Sequence, residues 1–208
     1  LAGATLESAA QPVTVTAELY RVNPIHAADT VCLRATTQER VDICFAVSHA
    51  TEEESNPAFG LDTDQATLDL GFDGNLSVHW HDGREEVEEA EAQENERSVG
   101  GAIDWIAAGA PLDVDALAST PHCSLEVART QTLIACGSYE SSAIHDLPEV
   151  LRREGPNGEI AIEGMTAAIN ASFREGKLFS ELGLDWARPG DSVSMQGYGY
   201  FPTFRVPG

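Results

Sequence analysis

The sequence predicts a mainly β fold, sandwich or barrel-like, with a few helical insertions; an α+β fold is the alternative. Short stretches of alternating apolar and polar residues recur along the chain, which is typical of half-buried strands. Turn signals such as Asn23-Pro24 and Asp73-Gly74-Asn75 separate them. At 208 residues the chain is long enough to bury a sizeable core.

The first half of the chain predicts an arm followed by strands. Residues 1–11 are small and polar and form the predicted N-terminal arm. Val13, Val15, Ala17 and Leu19 alternate with polar residues, which predicts a strand. The predicted strands of this half lie at 12–20, 30–35, 41–48, about 68–72 and 75–81. An acidic loop at 50–60 separates the third strand from the fourth.

The second half mixes helices and strands. Residues 84–97 are rich in helix formers with a thin apolar stripe and predict a solvated helix or a mobile loop. The remaining predictions are a short helix at 102–109, a hairpin of 122–128 with 131–139, a helix at 142–153, a strand at 158–164, a helix at 165–176 and one or two strands within 191–206. We therefore predict a single disulfide-stapled domain over 12–208, with an internal division near 98–118 as the alternative.

The four cysteines predict two disulfides, each across one hairpin: Cys32 with Cys44, and Cys123 with Cys136. In the first hairpin, a register that places the cysteines opposite each other also pairs Leu33 with Ile43, Val31 with Phe45, and Arg34 with Asp42. The apolar members of these pairs are expected to be buried. Paired cysteines are typical of oxidising compartments, so we expect a secreted, cell-surface or virion-exterior protein.

The charge is strongly negative, with 34 acidic residues against 12 basic ones and a net charge of −22. Phosphate contacts need clustered Lys and Arg, so the composition argues against nucleic-acid binding. The acidity predicts either adaptation to high salt or binding of divalent cations by carboxylates. A single lysine, Lys177, favours salt adaptation. No run approaches the roughly 20 apolar residues of a membrane span.

One motif suggests a metal. His79 and His81 are two residues apart on a predicted strand, so both imidazoles share a face, and Glu85 follows. The string from Gly74 through these residues resembles a shortened first motif of the cupin family, which supplies metal ligands inside a β-barrel. The second cupin motif is missing from the C-terminal half, so the family is not assigned. The hypothesis is a divalent metal held by His79, His81 and Glu85.

No catalytic signature appears: there is no G-x-S-x-G elbow, no Walker A motif and no dinucleotide fingerprint. The sequence therefore favours a non-enzymatic secreted, cell-envelope or virion protein without a cofactor. Such a protein would act through protein partners or self-assembly, for example by adding residues 9–20 to a neighbouring sheet. The alternative for residues 12–20 is an ordinary first strand within its own domain. The alternative function is a metal-binding protein or metal-dependent enzyme using His79 and His81.

Overall fold

The computed structural model describes residues 9–89, 107, 109, 125–155 and 157–201. The strands are β1 (Pro12–Arg21), β2 (Thr30–Thr37), β3 (Asp42–Ser48), β4 (Phe59–Asp62), β5 (Ala66–Leu70), β6 (Leu76–Trp80), β7 (Glu85–Glu88), β8 (Ile144–Asp146), β9 (Arg152–Glu154), β10 (Ile160–Ile162) and β11 (Val193–Ser194). The helices are α1 (Leu125–Ser141) and α2 (Met165–Glu175), and a 3₁₀ turn covers Glu149–Leu151. This composition confirms the prediction of a mainly β fold with helical insertions. The strands of the described part form open sheets, with no closed barrel.

The chain forms two compact units. The larger contains residues 1–53 and 123–208, and the smaller contains 54–122. Compactness alone does not show that each unit folds independently. The predicted single domain over 12–208 therefore stays a prediction. Among the described residues no helix combines the length and apolar character needed to cross a bilayer.

The larger unit is organised around β1. Its main sheet has the order β11-β1-β2-β3, and β8 runs parallel to β1 on the same side as β11. Val15, Ala17 and Leu19 are buried, as their alternation predicts, but Glu18 and Tyr20 are buried as well, so β1 is covered on both faces instead of being half-buried. Residues 12–20 thus pair within their own sheet, as expected of an ordinary first strand, and their addition to a neighbouring subunit's sheet stays a prediction.

Helices cover the two faces of this sheet. On one face α1 approaches β1 closely: a Cβ on Gly137 would lie 3.2 Å from Val15 Cβ, and Ala17 N donates to Ser141 Oγ at 2.8 Å. On the other face α2 contacts Cys32 through Ser172. The larger core lies on this second side and includes Tyr20 and Phe179. Burying such a side chain contributes about 1.5–3 kcal/mol.

A buried carboxylate fixes the C-terminal segment against β1. Glu18 is fully buried, and it accepts hydrogen bonds from Tyr20 Oη at 2.9 Å and from Ser180 N at 3.1 Å. Tyr20 Oη in turn accepts from Arg188 N at 2.9 Å. These donors offset the desolvation of the charge. Nearby, a Cβ on Gly190 would lie 1.9 Å from the Ala17 carbonyl oxygen, so the close approach requires glycine.

The register of the first hairpin differs from the predicted one by two residues. Leu33 faces Phe45, and Arg34 faces Cys44. The turn closes with Thr37 N donating to Val41 O, and Arg40 adopts a left-handed conformation with φ 62°. This turn moves the centre of the hairpin away from its predicted position. Because the register shift is an even number of residues, each side chain still lies on the face of the sheet that was predicted for it.

Burial and pairing in this hairpin also depart from the prediction. Leu33 is buried, but Phe45 is 49% exposed, because α1 packs on β1 and leaves β3 partly uncovered. Arg34 pairs with Glu181 at 2.6 Å instead of Asp42. Asp42 accepts a hydrogen bond from Thr36 Oγ1 at 2.7 Å.

The second predicted hairpin is wrong, because its described part is the 17-residue helix α1. The short alternation through Ile134 and Cys136 resembles a strand. Tertiary packing favours the helix instead, because Leu133 and Ile134 of α1 pack against the buried cluster that contains Val15 and Ala35. The predicted helix at 142–153 is also wrong, since the backbone there pairs with β1 as β8 and then enters the 3₁₀ turn after Pro148.

Helix α2 confirms the helix predicted at 165–176. It ends at Gly176, whose φ of 60° places it in the left-handed region. Strand β10 lies within the predicted strand 158–164. Of the predicted strands in 191–206, β11 is present, and residues 202–206 lie outside the described part.

The smaller unit contains an antiparallel meander in the order β4-β5-β6-β7. Leu70 faces Leu76 and Leu68 faces Val78, so β5 and β6 share an apolar face, to which β7 adds Glu86 and Glu88. The predicted turn near 73–75 is confirmed, with Gly71 N donating to Asn75 O at 3.0 Å. Residues 85–88 form β7, which corrects the helix or loop predicted at 84–97. The rest of that segment from 90 onward, and most of the predicted helix at 102–109, lie outside the described residues.

A carboxylate from outside α2 caps its N-terminus, and this predicts a pH-dependent contribution to stability. Glu52 accepts hydrogen bonds from Gly164 N and from Thr166 N, the latter at 2.8 Å. Partial burial raises the pKa of Glu52, but the hydrogen bonds from Thr166 and Gly164 outweigh it and lower the pKa overall. A lowered pKa stabilises the fold above the unfolded-state pKa, and that contribution is lost as pH falls through the folded value.

We expect Glu52→Ala to reduce the free energy of unfolding by about 1 kcal/mol at pH 7, the usual effect of losing a helix cap. The difference from the unsubstituted protein should shrink below about pH 4. Urea unfolding at several pH values measures this. The exposed neighbour Glu53, replaced by alanine, is the control. Equal losses in both variants at pH 7 would contradict the capping role.

Candidate functional site

A cleft of about 460 Å³ opens in the larger unit, where β1 ends beside loop 22–29, β8, β9 and β10. Its polar lining consists of Arg21, Asn23, His26, Asp146 and Arg152. Its apolar lining consists of Val22, Pro24, Ile25 and Ile160. The volume lies within the range of small-molecule sites.

Arg21 is held rigidly at one side of the cleft. The parallel register of β1 and β8 sets Arg21 beside Asp146. Its Nε and Nη2 donate to Asp146 Oδ1 at 2.9 and 2.7 Å, and Nη1 donates to the Ile25 carbonyl at 3.1 Å. The side chain is 17% exposed. Arg21 is therefore a fixed cation whose charge Asp146 largely balances.

Arg152 is less constrained. It is the first residue of β9, and its side chain is 32% exposed. Within the described part of the chain its ion pair is a loose one, with Nη1 3.8 Å from Glu149 Oε1, too long for a hydrogen bond. The next residue, Arg153, does not line the cleft and pairs with Glu163. Arg152 therefore offers the cleft guanidinium donors that a ligand can use.

The wall formed by loop 22–29 is ordered by one buried carboxylate. Asp29 Oδ2 accepts hydrogen bonds from Val22 N at 3.0 Å, Asn23 N at 2.8 Å and Asn23 Nδ2 at 2.9 Å. Asp29 N also donates to Tyr20 O at 3.0 Å, which closes the loop at the end of β1. The loop is thus preorganised, and its side chains project from a fixed backbone.

Of the three residues predicted to bind a metal, the structure brings His79 and Glu85 together but leaves His81 apart. His79 lies on β6 opposite Glu85, with Nδ1 3.6 Å from Glu85 Oε1 and Nε2 3.9 Å from Asp69 Oδ2. Strand β6 ends at Trp80, so His81 falls in the following turn and not on the strand face. Across residues 9–89, 125–155 and 157–201 no group of three His, Cys, Asp or Glu side chains could hold a metal ion.

The three cysteines in the described part of the chain are thiols, which corrects the predicted disulfides. Cys32, Cys44 and Cys136 are free, and Cys123 lies outside the described residues. The shifted register places Ala46, not Cys44, opposite Cys32. Cys136 lies on α1, not in a hairpin. The compartment prediction loses its main support and stays a prediction.

Cys32 is the most enclosed of these thiols. Its Sγ lies 3.3 Å from Ser172 Oγ, which donates to Lys177 O at 2.7 Å, so the thiol is the donor to Ser172. Burial raises the pKa of Cys32 to about 12 and also raises that of Cys44. Both thiols are held in the protonated, weakly nucleophilic form.

Comparison with known proteins gives limited matches. No protein-family model and no curated protein matches the sequence. One similar structure is an oxidoreductase from Agrobacterium radiobacter, solved with NAD+, L-tartaric acid and magnesium. The alignment covers 48% of this chain and 34% of the oxidoreductase chain, with 22% sequence identity and a TM-score of 0.39. UDP-N-acetylglucosamine 3-dehydrogenase from Acidithiobacillus ferrooxidans matches 59% of this chain and 39% of its own, with 18% identity and a TM-score of 0.44. Likeness of this extent carries no argument about a ligand or a reaction of this chain.

The expectation of a non-enzymatic secreted, cell-envelope or virion structural protein is contradicted. Two of the matching structures are enzymes, an oxidoreductase and a dehydrogenase, but this likeness is too partial to assign a reaction to this chain. The disulfides that supported an extracellular structural role are thiols.

The thiol assignment predicts a defined labelling pattern. Brief exposure of the native, unreduced protein to iodoacetamide should modify Cys44, which is half-buried, well before Cys32, whose label should appear only on unfolding. Mass spectrometry of the peptides measures both sites. Comparable labelling of the two in urea is the control. A disulfide-linked peptide containing Cys32 and Cys44 would contradict the structure.

Proposed function

We propose that the larger unit binds a small anionic molecule in the cleft between Arg21 and Arg152. The observation that supports this most strongly is the placement of two arginines in one cleft of a chain with 12 basic and 34 acidic residues. Arginine donors in a concave site are suited to carboxylates and phosphates. Binding such a ligand is compatible with an enzymatic role and needs no catalytic motif in this chain.

The two arginines have different roles in this proposal. Arg152 is the direct contact, because its guanidinium has donors that the loose Glu149 contact does not use. Arg21 shapes the site and is already hydrogen-bonded to Asp146 and to the Ile25 carbonyl. With Asp146 balancing Arg21, the local excess of positive charge comes mainly from Arg152.

The net charge of −22 opposes the approach of any anion. That repulsion is long-range and is screened beyond about 10 Å at 0.1 M salt, whereas a guanidinium hydrogen bond acts at contact. The cleft should therefore bind anions at moderate ionic strength. Salt adaptation, which the acidic composition predicts, stays a proposal consistent with this.

Replacing Arg152 tests the site. We expect Arg152→Gln to weaken binding of a carboxylate or phosphate probe about tenfold, since a hydrogen bond to a charged group contributes about 1.5–3 kcal/mol. Isothermal titration with acetate, inorganic phosphate and NAD+ as probes measures this. NAD+ is included as a diphosphate, and its binding would also revise the expectation of no cofactor.

Arg153→Gln is the matched control, because Arg153 is the next residue along β9 but does not line the cleft. Equal affinity losses in the two variants, or no binding by the unsubstituted protein, would overturn the proposal. Melting temperatures of both variants establish that each remains folded.

A second proposal concerns protein partners: we propose that β3 contributes to self-association. Phe45 and Val47 are 49% and 37% exposed and lie on one face of the sheet. They face Leu33 and Val31 of β2, so this side is uncharged in a strongly acidic protein. An exposed apolar surface of this kind is typical of interaction sites.

Replacing both exposed residues tests that second proposal. We expect Phe45→Ser with Val47→Ser to lower the apparent mass measured by light scattering during size-exclusion chromatography, because apolar contact area is lost. Val150→Ser removes another exposed apolar side chain, 76% exposed, and should leave the mass unchanged. A monomeric unsubstituted protein at high concentration would refute self-association.

A further inference from the structure

We infer that the ligand of the Arg21–Arg152 cleft is an organic monoanion with an apolar body, an inference that rests on the proposed anion site. Beside its arginines the cleft is lined by Pro24, Ile25 and Ile160, and also by Val22, which packs partly against the buried core. A ligand that contacts both the arginines and the apolar lining residues carries its charge at one end and hydrocarbon at the other. An aliphatic or aromatic carboxylate has that form.

Ile25 is the clearest evidence for the apolar part. Its side chain is 44% exposed, although it is large and hydrophobic. The backbone holds it in place: Ile25 N donates to Asn23 O at 2.8 Å, and its carbonyl accepts from Arg21 Nη1 at 3.1 Å. Asp29 fixes the start of the same loop. The loop therefore presents Ile25 to the cleft from a fixed backbone, which lowers the ordering cost of binding.

The size of the cleft also favours an organic ligand. Its volume of about 460 Å³, although largely open to solvent, leaves room for an organic molecule beside Arg152. An inorganic phosphate on Arg152 would leave Ile25 and Ile160 facing solvent. A hydrocarbon body would cover both and remove their apolar surface from water.

The apolar wall further discriminates against hydroxyl-rich anions such as sugar acids. Val22, Ile25 and Ile160 offer no side-chain hydrogen bonds, so hydroxyl groups placed against them would lose their water partners. Asn23 and His26 also line the cleft, but Asn23 Nδ2 already donates to Asp29 Oδ2. A carboxylate with four or five carbon atoms beyond its charged end is therefore favoured over a polyhydroxylated carboxylate of equal length.

A ligand series on the unsubstituted full chain tests the inference. Isothermal titration compares acetate, hexanoate and gluconate, which share one carboxylate and differ in length and hydroxylation. We expect hexanoate to bind at least tenfold more tightly than both acetate and gluconate, because burying methylene groups is favourable. Hexanoate binding no tighter than acetate, or gluconate binding as tightly as hexanoate, would overturn it.

The variants separate this inference from the anion site itself. Ile25→Ser should reduce the hexanoate-to-acetate affinity ratio several-fold, whereas Arg152→Gln should weaken both ligands. Val87→Ser, which removes a 70% exposed apolar side chain from the smaller unit, should leave the ratio unchanged. If acetate and hexanoate bind equally and both depend on Arg152, the apolar specificity fails and the anion site stands. If no anion in the series binds, the proposed function fails and the inference fails with it.

Discussion

The hydrogen bonding of β1 is the constraint on which the larger unit depends. The strand pairs with β2 on one side and with β8 and β11 on the other, so it is central to the sheet. Its buried Glu18 requires donors, and Tyr20 and Ser180 supply them. Those bonds fix the segment after α2 against the strand. The same strand ends at Arg21, whose position beside Asp146 follows directly from the pairing with β8. The core and the cleft thus share one element.

Charge is distributed unevenly over this acidic chain. Arg21, Arg34 and Arg153 each have a close carboxylate partner, Asp146, Glu181 and Glu163 respectively. Exposed pairs of this kind contribute little to stability, typically below about 1 kcal/mol, so their main effect is to place side chains. Arg152, with a 3.8 Å contact to Glu149, differs from them. The proposed anion site depends on that difference more than on the number of charges.

Local signals predicted the elements whose determinants are close in sequence. The turn near Gly74 and the end of α2 at Gly176 follow from turn chemistry, and the buried face of β1 that carries Val15 follows from alternation. The hairpin register failed because it depended on the turn around Arg40 and not on the cysteines. The helix at Cys136 was missed because contact with Val15, far away in sequence, outweighs local alternation. The cleft could not be predicted, since loop 22–29, β8 and β9 meet only through tertiary pairing, although Arg21 followed by Asn23-Pro24 marks one wall.

The hydrogen bond between Ala17 N and Ser141 Oγ joins residues 124 positions apart, because the smaller unit is inserted between β3 and α1. At a synthesis rate of about 5–20 residues per second, Ser141 is therefore synthesised roughly 6–25 seconds after Ala17. Over the same interval the apolar face of β1 lacks α1, and its β8 edge has no strand to pair with. The insertion thus gives this fold a long vulnerable period on the ribosome, in which unpaired strands are open to aggregation or to protection by chaperones.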